Sequence, residues 1–212
     1  MGAVTAGIIC QPDFQRGGNM ILGIIGFIFL LGTGTLLLLV RDWRISIGLL
    51  AIQYLAMFLV ILSIWPFSVA LIKLMVGWMV AAVLSTSGTA QLAYREESLL
   101  PMGRVFRITL AGLILVLVLS VAPQMNSLLP EIDAWILRCG LLSMGLGLAH
   151  IGISTRPFRI LLGILTIMTG FEIIYAAVEV SFLVIGLLAG INLALSLAGV
   201  YFGLFMKIEG DE

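Results

Sequence analysis

Residues 41–54 read RDWRISIGLLAIQY: two arginines around a tryptophan, then a nearly unbroken apolar run. That order suits a helix entering a bilayer, with charge and indole at the interface and oil-soluble side chains beyond it. Residues 156–169, RPFRILLGILTIMT, open in the same way. A shift of 115 positions pairs Arg44 with Arg159, Ile45 with Ile160, Gly48 with Gly163, Leu50 with Leu165 and Ile52 with Ile167. The two stretches read as copies of one membrane-entering unit.

The rest of the chain has the same character. Of its 212 residues 61% are hydrophobic and 10% charged, against about 25% charged in an ordinary soluble domain. The mean hydropathy is +1.21. Net charge is zero and no basic run occurs, so nothing points to a nucleic-acid surface or a polybasic lipid tether. Cys10 and Cys139 lack metal-ligand spacing. No phosphate-binding glycine loop, haem-attachment motif, zinc-protease motif or nucleophile elbow is present. The sequence therefore offers no support for autonomous catalysis, a cofactor or a metal site.

Crossing a membrane takes about 20 mostly apolar residues, because every backbone amide must be bonded within its own segment. Seven stretches qualify, at about 20–40, 45–64, 67–86, 106–123, 134–153, 158–178 and 181–206. The expected fold is an all-α integral membrane protein with two parallel three-helix repeats joined by one extra helix. Its divisions are a leader at 1–19, a first repeat at 20–86, a loop and connecting helix at 87–124, and a second repeat with tail at 125–212. The leader does not resemble a cleaved signal peptide, and Met20 is a candidate start beside Met1. The third connection alone is long enough for an amphipathic surface helix.

Positive residues set the orientation. Arg41, Arg44, Arg95, Arg104, Arg107, Arg156, Arg159 and Lys207 fall on one side, and Arg16 and Arg138 on the other. This predicts an outside N-terminus and a cytoplasmic C-terminus in the cell's inner (plasma) membrane. Trp43, Trp65 and Trp135 read as interface anchors, whereas Trp78 lies deep enough to read as packing.

Ionisable groups inside a bilayer are costly and functional by default. Lys73 can hold a proton, pair with a carboxylate or snorkel to the interface. Glu172 is the foremost buried carboxylate, and Glu179 follows two turns later on the same helical face. His150 is a candidate proton relay. Arg138 is expected to snorkel outward or pair with Asp133 or Glu131. Gln53 and Asn192 are candidates for hydrogen bonds across helices or for water-binding stations.

The words WRISIGLLAIQ (43–53), ALIKLMVG (70–77) and FRILLGILTIMTGFE (158–172) resemble the hydrogenase-4 membrane component E, a family related to NuoK, the small three-helix subunit of respiratory complex I. The resemblance covers nearly the whole chain. It places the family's aromatic-Arg-x-Ser-x-Gly-x-x-Ala-x-Gln pattern on Trp43, Arg44, Ser46, Gly48, Ala51 and Gln53, its lysine on Lys73, and its sixth-span arginine and glycine on Arg159 and Gly163. One position departs: Met168 stands where the family carries a glutamate, with Glu172 one turn later, and Asn192 lies near an expected acid. The resemblance implies a non-catalytic subunit of a complex I-like or group 4 hydrogenase-like oxidoreductase. Its partners would be lipids and antiporter-like or other hydrophobic subunits. Lys73, Glu172, Glu179, Gln53, Asn192 and His150 would serve a proton or sodium path, with Arg44, Gly48, Arg159 and Gly163 structural. The alternative is a stand-alone transporter component or an assembly scaffold.

Overall fold

The computed structural model describes residues 13–40, 42–86, 103–128, 130, 132–154, 156–179 and 181–210, with side chains given between 21 and 201. Among these residues seven helices follow in order: α1 (Asp13–Leu39), α2 (Trp43–Leu62), α3 (Phe67–Thr86), α4 (Arg104–Leu128), α5 (Ala134–Ile153), α6 (Pro157–Val178) and α7 (Phe182–Gly210). Each is long and apolar enough to cross a membrane, and the described residues contain no strand. The protein is thus an all-helical, multi-pass membrane protein.

Local chemistry sets several helix ends. Asp133 precedes α5 and its carboxylate accepts the Trp135 amide at 3.0 Å, satisfying one of the donors a helix start leaves open. Pro157 begins α6, where a missing N–H costs nothing. Two boundaries differ most from the sequence reading. α1 starts at Asp13, so residues 13–19 of the expected leader are helical. α4 runs through Pro123 to Leu128. A proline removes one intrahelical bond, a loss that membrane helices tolerate where neighbouring groups take up the freed carbonyl.

α2 packs between α1 and α3, and α6 between α5 and α7; the triplets meet with α1 on α5, α2 on α6 and α3 on α7, while α4 lies outside against α5 and α1. Phe27, midway along α1, meets Trp135 edge-on at the start of α5, and Gly34 meets Leu146 farther along both. These two helices therefore run parallel. α5 and α6 make the tightest crossing. A Cβ on Gly170 would stand 2.5 Å from the Gly140 carbonyl oxygen, and one on Gly147 would stand 2.7 Å from that of Gly163. Small residues let the backbones touch, which is how membrane helices gain packing where lipid supplies no hydrophobic drive.

The positions paired by the 115-residue shift occupy unlike surroundings. Gly48 faces open space, whereas Gly163 is pressed against α5. Arg44 is exposed with its guanidinium 5.2 Å from the Trp43 ring, whereas Arg159 reaches the Val40 carbonyl. Equal letters at this spacing therefore do not have equal neighbours.

The tryptophans also depart from expectation. Trp65 is buried and donates its indole N–H to the Ala176 carbonyl at 2.9 Å, clasping the α2–α3 turn to the end of α6. Trp78 is half exposed on the outer face of α3. Its neighbour Gly77 lies against the Tyr54 ring, and one helical step of about 100° turns residue 78 outward.

Candidate functional site: a buried polar line

Lys73 on α3 and Glu172 on α6 meet in the interior. Nζ stands 2.8 Å from Oε2, and the two side chains are 4% and 2% exposed. The other carboxylate oxygen, Oε1, accepts a hydrogen bond from Asn192 Nδ2 of α7 at 2.6 Å. Three helices therefore converge on one carboxylate. Removing two charges from water costs several kcal/mol per ion, recovered only when geometry is good and the remaining lone pairs are bonded. Both oxygens of Glu172 are engaged. Asn192 keeps a buried carbonyl oxygen without a partner. Nearby, the Tyr54 hydroxyl is buried beside Thr169 and Glu172 without a hydrogen bond of good geometry.

Polar groups continue along α6 toward its start. Thr169 and Thr166 lie three and six residues before Glu172, spaced about 4.5 Å apart along one buried face. Their hydroxyls donate to Leu165 and Leu162 carbonyls. Gln53 of α2 lies between Ser143 of α5, 3.4 Å away, and the Thr166 hydroxyl, 3.5 Å away, while Ser143 donates to the Thr166 carbonyl at 3.0 Å. Two turns beyond Ser143 on α5 sits His150, 2% exposed, with neither ring nitrogen bonded. Arg107 and Arg159 stand close enough to His150 for their charges to act on it. These guanidiniums donate to the Leu38 and Val40 carbonyls at the end of α1, supplying donors that a helix C-terminus otherwise lacks.

The structure thus joins Lys73, Glu172 and Asn192 directly, and sets Gln53 and His150 farther along the same interior. Glu179 stands apart. It is exposed at the C-terminal cap of α6 and accepts the Tyr175 hydroxyl at 3.3 Å, because α6 ends at Val178 and the chain turns away before a shared track can form. Arg138 stacks its guanidinium 4.9 Å from the Trp135 ring. Glu131, Arg41, Arg95, Cys10 and the expected surface helix within 87–102 lie outside the described residues, as does the Lys207 side chain.

Sequence reading missed Tyr54, Ser143, Thr166 and Thr169. Serines and threonines in a membrane helix usually bond back to their own helix, so nothing in the letters separates a lining residue from a self-satisfied one. The available signal was spacing: Thr166, Thr169 and Glu172 fall at i, i+3 and i+6. Among the described residues no group of three or more His, Cys, Asp or Glu side chains could hold a metal ion. Comparison with protein-family models, curated proteins and solved structures finds no match.

Proposed function

We propose that the protein is a non-catalytic membrane subunit of a complex I-like or group 4 hydrogenase-like assembly, contributing a buried station to proton (or sodium) movement driven by redox chemistry elsewhere in the complex. The observation that carries the reading is the Lys73–Glu172–Asn192 contact, a charged pair held in the interior by three helices. Isolated charge at this depth is expensive, and a pair without function is readily replaced by apolar residues. The resemblance to the hydrogenase-4 membrane component supplies the kind of assembly, and the two parallel three-helix units belong to the same proposal.

The chemistry follows from charge balance. With Glu172 ionised and Lys73 protonated the pair is neutral. A proton arriving on Glu172 leaves Lys73 as a lone buried cation, and loss of a proton from Lys73 restores neutrality. One proton in therefore drives one proton out. Transfer needs a neighbouring polar group within about 3 Å, and Asn192, Tyr54 and the threonines of α6 supply the nearest candidates. Met168 is only half buried, whereas Glu172 meets Lys73 directly. This favours a path displaced by one turn over a path that has been lost.

Glu172→Gln keeps the shape of the side chain and removes its titration. In membranes carrying the whole complex, redox-coupled ion uptake should fall at least tenfold while the subunit still co-purifies with its partners. Undiminished uptake in that variant removes Glu172 from the path. Purification of the native protein without redox or antiporter-like subunits would instead leave a stand-alone transporter.

A further inference from the structure

Tyr54 is 2% exposed, and its hydroxyl has no hydrogen-bond partner. Leaving a buried hydroxyl unbonded is costly, and phenylalanine at the same place would avoid the cost. The ring has a defined seat: a Cβ on Gly77 of α3 would overlap it, so a glycine there lets the ring lie against the α3 backbone. Gly77 follows Lys73 by four residues, about 6 Å along the helix. α3 and α6 run antiparallel, since Trp65 just before α3 meets Ala176 and Lys73 farther on meets Glu172. The level of Gly77 on α3 therefore lies opposite that of Thr169 on α6, three residues before Glu172. The Tyr54 hydroxyl is found there, beside Thr169 and within reach of the Glu172 charge.

This layer separates two others. On one side stands the Lys73–Glu172 pair, and on the other Gln53, Ser143 and Thr166. The hydroxyl hydrogens of α6 between them are already committed. Thr169 and Thr166 donate theirs to the Leu165 and Leu162 carbonyls, so their oxygens are left to accept. Asn192 approaches from α7 and gives a hydrogen to Oε1, while Lys73 gives one to Oε2. The phenol hydrogen of Tyr54 is uncommitted. Turning about the C–O bond aims it toward Thr169 or toward Glu172, with the ring held on Gly77 throughout.

We propose that Tyr54 is the hydroxyl through which the buried pair exchanges protons with the Gln53–Ser143–Thr166 side of the polar line. The proposal rests on the reading of Lys73 and Glu172 as an ion station. The step balances at one oxygen. A new O–H bond forms with a proton delivered by water on that side as the old O–H bond breaks toward Glu172, and the phenol is neutral before and after. Turning the new O–H back toward Glu172 readies it for the next transfer. Lys73 shares in the exchange because its ammonium is bonded to the same carboxylate.

Lys73 and Lys207 are the two lysines of the chain, so lysine labelled with nitrogen-15 gives two ammonium resonances, and Lys207→Arg identifies that of Lys73. The full chain would be held in lipid nanodiscs, and exchange of the Lys73 ammonium hydrogens with deuterated water followed by nuclear magnetic resonance. Tyr54→Phe keeps the ring on Gly77 and removes the hydroxyl. Exchange should then slow by about tenfold or more, with the Lys73 resonance in place because the pair is intact. A ring that only fills space predicts the opposite sign, since removing its hydroxyl leaves exchange unchanged or faster. If Tyr54→Phe does not fold, Thr169→Val removes the neighbouring acceptor and should give the same slowing. Unchanged or faster exchange, or slowing with a displaced Lys73 resonance, overturns the proposal. Its failure is separable from that of the ion station. An ineffective Tyr54→Phe beside an impaired Glu172→Gln removes Tyr54 alone, whereas undiminished redox-coupled uptake in Glu172→Gln removes both.

Discussion

At Glu172 two donors from two other helices, one charged and one neutral, share one carboxylate, so they are not interchangeable. Removing Lys73 leaves a buried anion, whereas removing both charges leaves a gap that methionines can fill. Breaking one side of a buried pair costs about 3–5 kcal/mol, while replacing the whole pair by apolar residues is often neutral or stabilising. Lys73→Met and Glu172→Met should therefore each lower stability by about 3 kcal/mol, and the double variant should recover most of that loss. Denaturant unfolding of the three variants in detergent checks this. Additive losses would mean that the two groups are solvated separately. The sequence supplied both residues but left Lys73 free to hold a proton, to pair or to snorkel. Only packing decides among these, because the choice depends on which face of α3 turns toward α6.

Glycine positions carry the information at the level of helices. α5 and α6 cross with Gly140 on Gly170 and Gly147 on Gly163, a spacing of seven residues on each helix that keeps the contact on one face for two turns. That crossing fixes the distance between Ser143 and Thr166, and with it the middle of the polar line. Gly170→Val would set new carbon atoms against the Gly140 carbonyl and the Met144 backbone, forcing the helices apart. Overpacking of this kind costs about 1–3 kcal/mol, and ion movement should fall with it. Gly48→Ala meets open space and should change neither. Thermal unfolding of the two variants side by side gives the comparison, and an unaffected Gly170→Val would show that the crossing tolerates separation. Span number and most span limits were readable from hydropathy, since the bilayer demands about 20 apolar residues wherever a helix crosses. Which glycine lies in a crossing was not readable, because the letters around Gly48 and Gly163 are nearly the same.

For the whole molecule, the basic residues collect where α1 ends, α4 begins and α5 passes to α6. Arg107 and Arg159 reach α1 carbonyls there, and Arg44, Arg104 and Arg156 lie at the same end of their helices. Loops rich in arginine stay cytoplasmic because moving their charge across the membrane is opposed during insertion. The expected orientation therefore puts this end inside and the α4–α5 connection outside. Asp42 and Ser127 are exposed at opposite ends and serve as reporters. In a background with Cys10 and Cys139 replaced by serine, Ser127→Cys should react with a membrane-impermeant maleimide in intact cells. Asp42→Cys should react only after the cells are opened. The reverse pattern would invert the molecule, and would place His150 and the two guanidiniums beside it at the outer mouth of the polar line rather than the inner one.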